Sequence, residues 1–234
     1  MATRAKRRLN QRSSLILNFT FLLLLLTFPS QQSKADEIAI WNFNDSDLTV
    51  DHGAGSLSTS INLVNVLFAA GTTTNARLGD PAGLALSLQG GSGTANNGRN
   101  LTIAVSTVGF SGIFVSLATQ GTPTGFNSNQ FQYSLDGITF VDFGPAYVPA
   151  SAFGSVPVVF DLSAITGLDN NASAAFRIIF SGAMSATGTN RIDNLVVTGS
   201  PSVTAVPEPT AMLLLGSGLS TLVAVLRRKK SGRH

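Results

Sequence analysis

The chain of 234 residues contains no cysteine, which excludes disulfides and thiolate metal sites. Between Asp36 and Val206 it also lacks lysine, and it carries one glutamate, Glu37, and one histidine, His52. A catalytic histidine needs a nucleophile and an orienting partner. His52 instead stands in the turn-like run Asp51-His52-Gly53-Ala54-Gly55, and the chain has no Gly-x-Ser-x-Gly setting. Glycoside hydrolysis needs a pair of carboxylic acids, but most aspartates adjoin Gly, Asn or Ser, where their side chains cap local backbone. Gly90-Gly91-Ser92-Gly93-Thr94 lacks the lysine and following helix of a phosphate loop. The middle of the chain holds no apolar run long enough to cross a bilayer. It sustains no 3.6-residue apolar period, residues 61–70 coming nearest. No catalytic residue is assigned, and the body is expected not to be an enzyme.

Charge is present but segregated. Residues 1–35 hold six Lys/Arg and no acid, and residues 227–234 hold five more. Between Asp36 and Val206 there are eleven acidic residues against four arginines (Arg77, Arg99, Arg177 and Arg191), a net charge of −7. The overall pI of 9.7 therefore belongs to the ends. An acidic body repels phosphate, so no nucleic-acid partner is expected.

The ends read as addresses. Arg4, Lys6, Arg7, Arg8 and Arg12 precede an apolar run at 15–28, and Ser33-Lys34-Ala35 places small residues at −3 and −1 of a cut between Ala35 and Asp36. This is a secretory signal peptide over 1–35, its partners signal peptidase and the secretion machinery. At the other end, Val206-Pro207-Glu208-Pro209 precedes a short apolar segment at 211–226 and the cluster Arg227-Arg228-Lys229-Lys230. Two close prolines cannot continue a helix, so a membrane helix is expected to start after Pro209. The basic cluster holds that helix in a stop-transfer orientation.

These C-terminal features resemble the PEP-CTERM sorting signal, over 206–233, of exported proteins in exopolysaccharide-producing Gram-negative bacteria. The resemblance implies recognition and cleavage by an exosortase-type transpeptidase. It also implies transient anchoring at the inner membrane, then delivery to the cell surface or extracellular matrix.

The body, residues 36–200 with a linker at 201–205, alternates short apolar-rich runs with Gly/Asn/Ser/Asp clusters. Strands are expected at 37–43, 84–88, 100–108, 112–118, 130–135, 139–143, 156–162, 174–181 and 191–198, with a tight hairpin turn at Asp136-Gly137. Nine short strands without helical crossovers predict an all-β antiparallel sandwich, a jelly roll. The hairpin at 132–140 and the ending Arg191-Ile192-Asp193-Asn194-Leu195 resemble galactose-binding-like (discoidin-like) and MAM-like jelly rolls. That resemblance implies a structural calcium ion where the first and last strands meet, shared by Asp45 and Asp193; the alternative is that Asp193 bonds backbone or Arg191. It also implies glycan binding, with exopolysaccharide as the expected partner. Trp41, Tyr133, Tyr147, Phe110, Phe126 and Phe143 form the aromatic pool for such a site. The alternatives are a structural matrix component without a specific ligand, and a secreted hydrolase.

Overall fold

The computed structural model describes residues 35–202. The signal peptide, the sorting motif, the apolar segment and the basic cluster lie outside the described residues. Among the described residues no helix is long and apolar enough to cross a membrane.

Twelve strands form: β1 Asp36–Trp41, β2 His52–Gly53, β3 Ser56–Thr59, β4 Val66–Ala70, β5 Leu84–Gln89, β6 Arg99–Ala104, β7 Phe110–Gly121, β8 Ser128–Ser134, β9 Val141–Asp142, β10 Val158–Asp161, β11 Ala175–Ser181 and β12 Thr189–Pro201. All pair antiparallel, in two sheets. The seven-stranded sheet runs β10-β7-β12-β1-β2, with β5 pairing another stretch of β12 and β4 pairing β5. The five-stranded sheet runs β3-β6-β11-β8-β9. The antiparallel sandwich read from the sequence is thus the fold.

Alternation builds the core. In the five-stranded sheet Leu101, Ile103, Phe131, Phe176, Ile178 and Phe180 are fully buried, while Thr102, Arg177 and Ile179 between them stay partly open. Ile113, Val115 and Leu117 of β7 and Leu86 and Leu88 of β5 face them from the other sheet. Phe131 of one sheet stacks on Phe160 of the other, centroids 3.8 Å apart and planes 9° off parallel, and Phe176 lies 6.1 Å from Phe131.

β12 departs from simple alternation. Its pairing register shifts between Asp193 and Val196, and Asn194 sits at φ +48°. This bulge re-phases the strand, so Ile192 joins the core before it, and Leu195 and Val197 after it. No hydrophobic pattern marks such a step.

Several expectations need correction. Residues 61–70 make a 3-10 turn, Leu63–Asn65, then strand β4, so the apparent helical period is that of an edge strand on β5. β2 and β3 were not expected, because their runs are short and polar. The expected strand at 139–143 shrinks to β9, and that at 100–108 ends at Ala104. The hairpin turn at Asp136-Gly137 is a wider loop, since Gln132 pairs with Asp142 and Tyr133 with Val141. One oxygen of Asp136 accepts the N–H groups of Ile138 and Thr139 and the Ser134 hydroxyl, closing the loop from within. Those bonds hold its carboxyl well below the usual range. β12 runs through Pro201, one residue into the expected linker.

Candidate functional site

The outer faces of the two sheets differ. On the seven-stranded sheet, the row Ile40–Val196–Ser116 is buried although it points away from the core. The segment between β4 and β5 covers it. Asn75 of that segment donates to the Ser116 hydroxyl at 3.0 Å and to the Asn194 carbonyl at 2.7 Å. The β12 bulge returns the grip, with Asn194 donating its amide to the carbonyls of Thr72 and Thr74.

Asp193 belongs to this clasp. It is 1% exposed, and its oxygens accept the N–H groups of Thr72 (2.6 Å) and Asn194 (2.8 Å). Burial pushes its carboxyl up to about 7, against the pull of those two bonds. Asp45 is exposed, in the loop after β1. Calcium takes roughly six to eight oxygens. Asp193 and Asp45 are two carboxylates toward that number, one buried in the clasp and one exposed. Among the described residues no three His, Cys, Asp or Glu side chains gather as a metal group. Ala35 and Asp36 are exposed, and Asp36 opens β1 opposite Gly199.

The five-stranded sheet keeps its outer face open. Register aligns Ser58, Thr102, Arg177, Gln132 and Asp142 in one outward row across β3, β6, β11, β8 and β9. Along it, Arg177 Nε donates to Gln132 Oε1 at 2.8 Å, and Gln132 Nε2 donates to Asp142 Oδ1 at 2.6 Å. The Phe140 ring lies 3.9 Å beneath the Arg177 guanidinium. Phe140 reaches this face because it stands two residues before Asp142, where alternation returns it to the outward side.

The next row, Ser56–Ala104–Ala175, has small side chains. It floors a cleft of about 410 Å³, walled by Ala54-Gly55, Val105-Ser106, Gly137 and Ala172-Ser173-Ala174. Small residues lower the floor of this cleft, one row along the strands from Thr102 and Arg177. Trp41, the only tryptophan, lies just under this wall, since a Cβ placed on Gly55 would come within 3.0 Å of its indole.

The expected aromatic pool lies elsewhere. Trp41 and Phe126 are core residues, while Phe110, Tyr133, Phe143 and Tyr147 are half-buried against the core. Burial of the Tyr147 phenol raises its pKa. Phe140, Arg177 and Gln132 were not singled out from the sequence. Strand alternation on β8 and β11 puts the last two on one face, but their meeting needs the strand order. His52 is exposed in β2, paired through its backbone to Ile40.

Comparison with known proteins adds the tail. Residues 205–230 match the PEP-CTERM protein-sorting motif, so the chain carries that signal. Val206, Pro207, Glu208, Pro209 and the basic cluster Arg227, Arg228, Lys229 and Lys230 all fall within the match. The motif marks an exported protein anchored at the membrane by its C-terminus before processing. No curated protein matches the chain. Among solved structures it is similar to TmCBM61 in complex with beta-1,4-galactotriose, at 11% identity and TM-score 0.41, over 68% of this chain and 94% of that one. It is similar to the CBM22-1 xylan-binding domain of Paenibacillus barcinonensis Xyn10C, at 9% identity and TM-score 0.44, over 73% and 99%. A family 29 carbohydrate-binding module from Piromyces equi is similar at 10% identity and TM-score 0.39, over 72% and 93%.

Proposed function

We propose that the protein is a non-catalytic glycan-binding component of the cell surface or extracellular matrix. In this reading an exosortase-type transpeptidase sorts it, and exopolysaccharide is its partner. The observation that carries the binding role is the open row on the five-stranded sheet. Arg177 sits over the Phe140 ring and is joined through Gln132 to Asp142, one row along the strands from a cleft with a low floor. Sugars are held by planar hydrogen-bonding groups and by aromatic faces, and this row presents both on a rigid sheet. The row has guanidinium, hydroxyl and carboxylate partners for hydroxyls but no placed nucleophile and base, which favours binding over hydrolysis.

The test is binding of the full chain, held in detergent micelles, to a panel of neutral and acidic polysaccharides, followed by Trp41 fluorescence. Saturable binding with a fluorescence change, weakened in Phe140→Ala, supports the reading. Absence of binding across the panel refutes it. Processing is tested separately by the intact mass of protein from a host with and without its exosortase. The sorting motif supports loss of the tail only when the enzyme is present, and a tail retained through Leu226 in both hosts refutes it.

A further inference from the structure

We infer that the glycan on this face is acidic, with a sugar carboxylate received by the outer edge of the Arg177 guanidinium. This rests on the binding role proposed for the same face.

The four arginines of the body are not alike. Arg77 approaches Glu37 at 3.6 Å and directs Nη1 to the Asn75 carbonyl. Arg99 gives Nε to Ala95 and Nη1 to Ser60, both backbone carbonyls. Arg191 gives Nη1 to the Ala70 carbonyl. Each of these guanidinium ends ties two parts of the fold together. Arg177 donates only Nε, sideways to Gln132, and among the described residues no hydrogen bond or carboxylate engages Nη1 or Nη2. The remaining fork is what a carboxylate accepts in bidentate geometry.

Its surroundings hold the fork ready. The Phe140 ring supports one face of the guanidinium, Gln132 fixes Nε, and Asp142 fixes Gln132. Ordering this side chain is therefore a smaller part of the cost of binding than for a mobile surface arginine. Arg177 stands mid-row, with Thr102 and the exposed Ser58 on one side and Gln132 and Asp142 on the other; the exposed Asp142 carboxylate accepts sugar hydroxyls and repels a second carboxylate. From Arg177 to Asp142 the row is polarised, and a uronic acid fits that half in one direction, carboxylate toward Arg177 and hydroxyls toward Asp142. Charge outside the site argues against indiscriminate polyanion binding, because the body carries a net charge of −7. An acidic polysaccharide gains here from a placed contact, not from a general field.

The probes are polygalacturonate, alginate and hyaluronan, each beside its carboxyl-reduced neutral twin, with the full chain in detergent. Wild type is expected to bind at least one acidic member roughly ten- to hundredfold more tightly than its twin, the range of a charge-assisted bidentate contact. Arg177→Gln should erase that preference. Phe140→Leu, which keeps the charge but loosens its support, should reduce it. The twin comparison on wild type decides the matter even if Arg177→Gln fails to fold. Equal or tighter binding to the neutral twins overturns the acidic assignment and leaves the glycan role standing. A preference that survives in folded Arg177→Gln overturns the role of Arg177. No binding to any acid or neutral member overturns both.

Discussion

Replacing Phe131 by alanine tests what joins the two sheets. Phe131 is fully buried on β8, stacks face to face on Phe160 of the opposite sheet at 3.8 Å, and has Phe176 and Phe143 at 6.1 and 6.3 Å. Truncating a buried phenylalanine costs about 3–5 kcal/mol through lost transfer energy and the cavity left behind. In a domain of this size each kcal/mol lowers Tm by roughly 2–4 °C, so a fall of about 6–20 °C is expected. Phe131→Leu keeps most of the volume and should cost less than about 1.5 kcal/mol. The stack itself is read by a double-mutant cycle with Phe160→Ala, in urea melts monitored by circular dichroism. Direct stacking should leave a coupling of about 0.5–1.5 kcal/mol. If Phe131→Ala shifts Tm by less than about 3 °C, or the two substitutions add without coupling, the sheets are not joined at this stack and the reasoning fails.

Four further outcomes follow from the same structure. A fragment of residues 35–202 should fold alone, since it holds all twelve strands, and its far-UV circular dichroism should be that of β-sheet; a helix-dominated spectrum refutes this. Exported protein should begin at Asp36, the first residue of β1, and N-terminal sequencing that returns Met1 contradicts the expected cut. Tm should be the same in chelator and in millimolar calcium, because Asp193 is engaged by two N–H donors and Asp45 is exposed; a rise of several degrees, lost in Asp193→Ala, would instead establish the shared ion. Gly71→Ala should destabilise by about 1–3 kcal/mol, as its Cβ would press on the Ala82 carbonyl and on Asp193, and an unchanged urea midpoint argues against the clasp.

Most of the sandwich was legible because its central strands alternate. Leu101 and Ile103 on β6, and Phe176, Ile178 and Phe180 on β11, repeat with period two and point to one core. The edges were not. β2 and β3 are short and polar, and residues 61–70 show a helix-like apolar spacing at Ile61, Val64 and Phe68 that only the pairing of β4 with β5 resolves. Asp193 was singled out from the sequence, as half of a metal site or as a carboxylate bonded to backbone or Arg191, and backbone N–H groups are its partners. What it does in the fold depends on Thr72, 121 residues away along the chain, whose N–H it accepts.

The working face was hidden for a different reason. Alternation says which residues point away from the core, but not whether something covers them. Ile40 and Val196 point outward and are buried at 1% and 0% exposure, because the β4–β5 segment closes over them and the β12 bulge clasps it. Arg177 points outward from the other sheet and remains open, with a fork that no other residue of the fold uses. The side chains that close the first face, Asn75, Asp193 and Asn194, are polar groups engaged in holding the segment down. Those of the second, Arg177, Gln132 and Asp142, hold only one another, and no backbone is fastened through them. This network lies on the face that no segment covers, the face to which the glycan-binding proposal assigns a ligand.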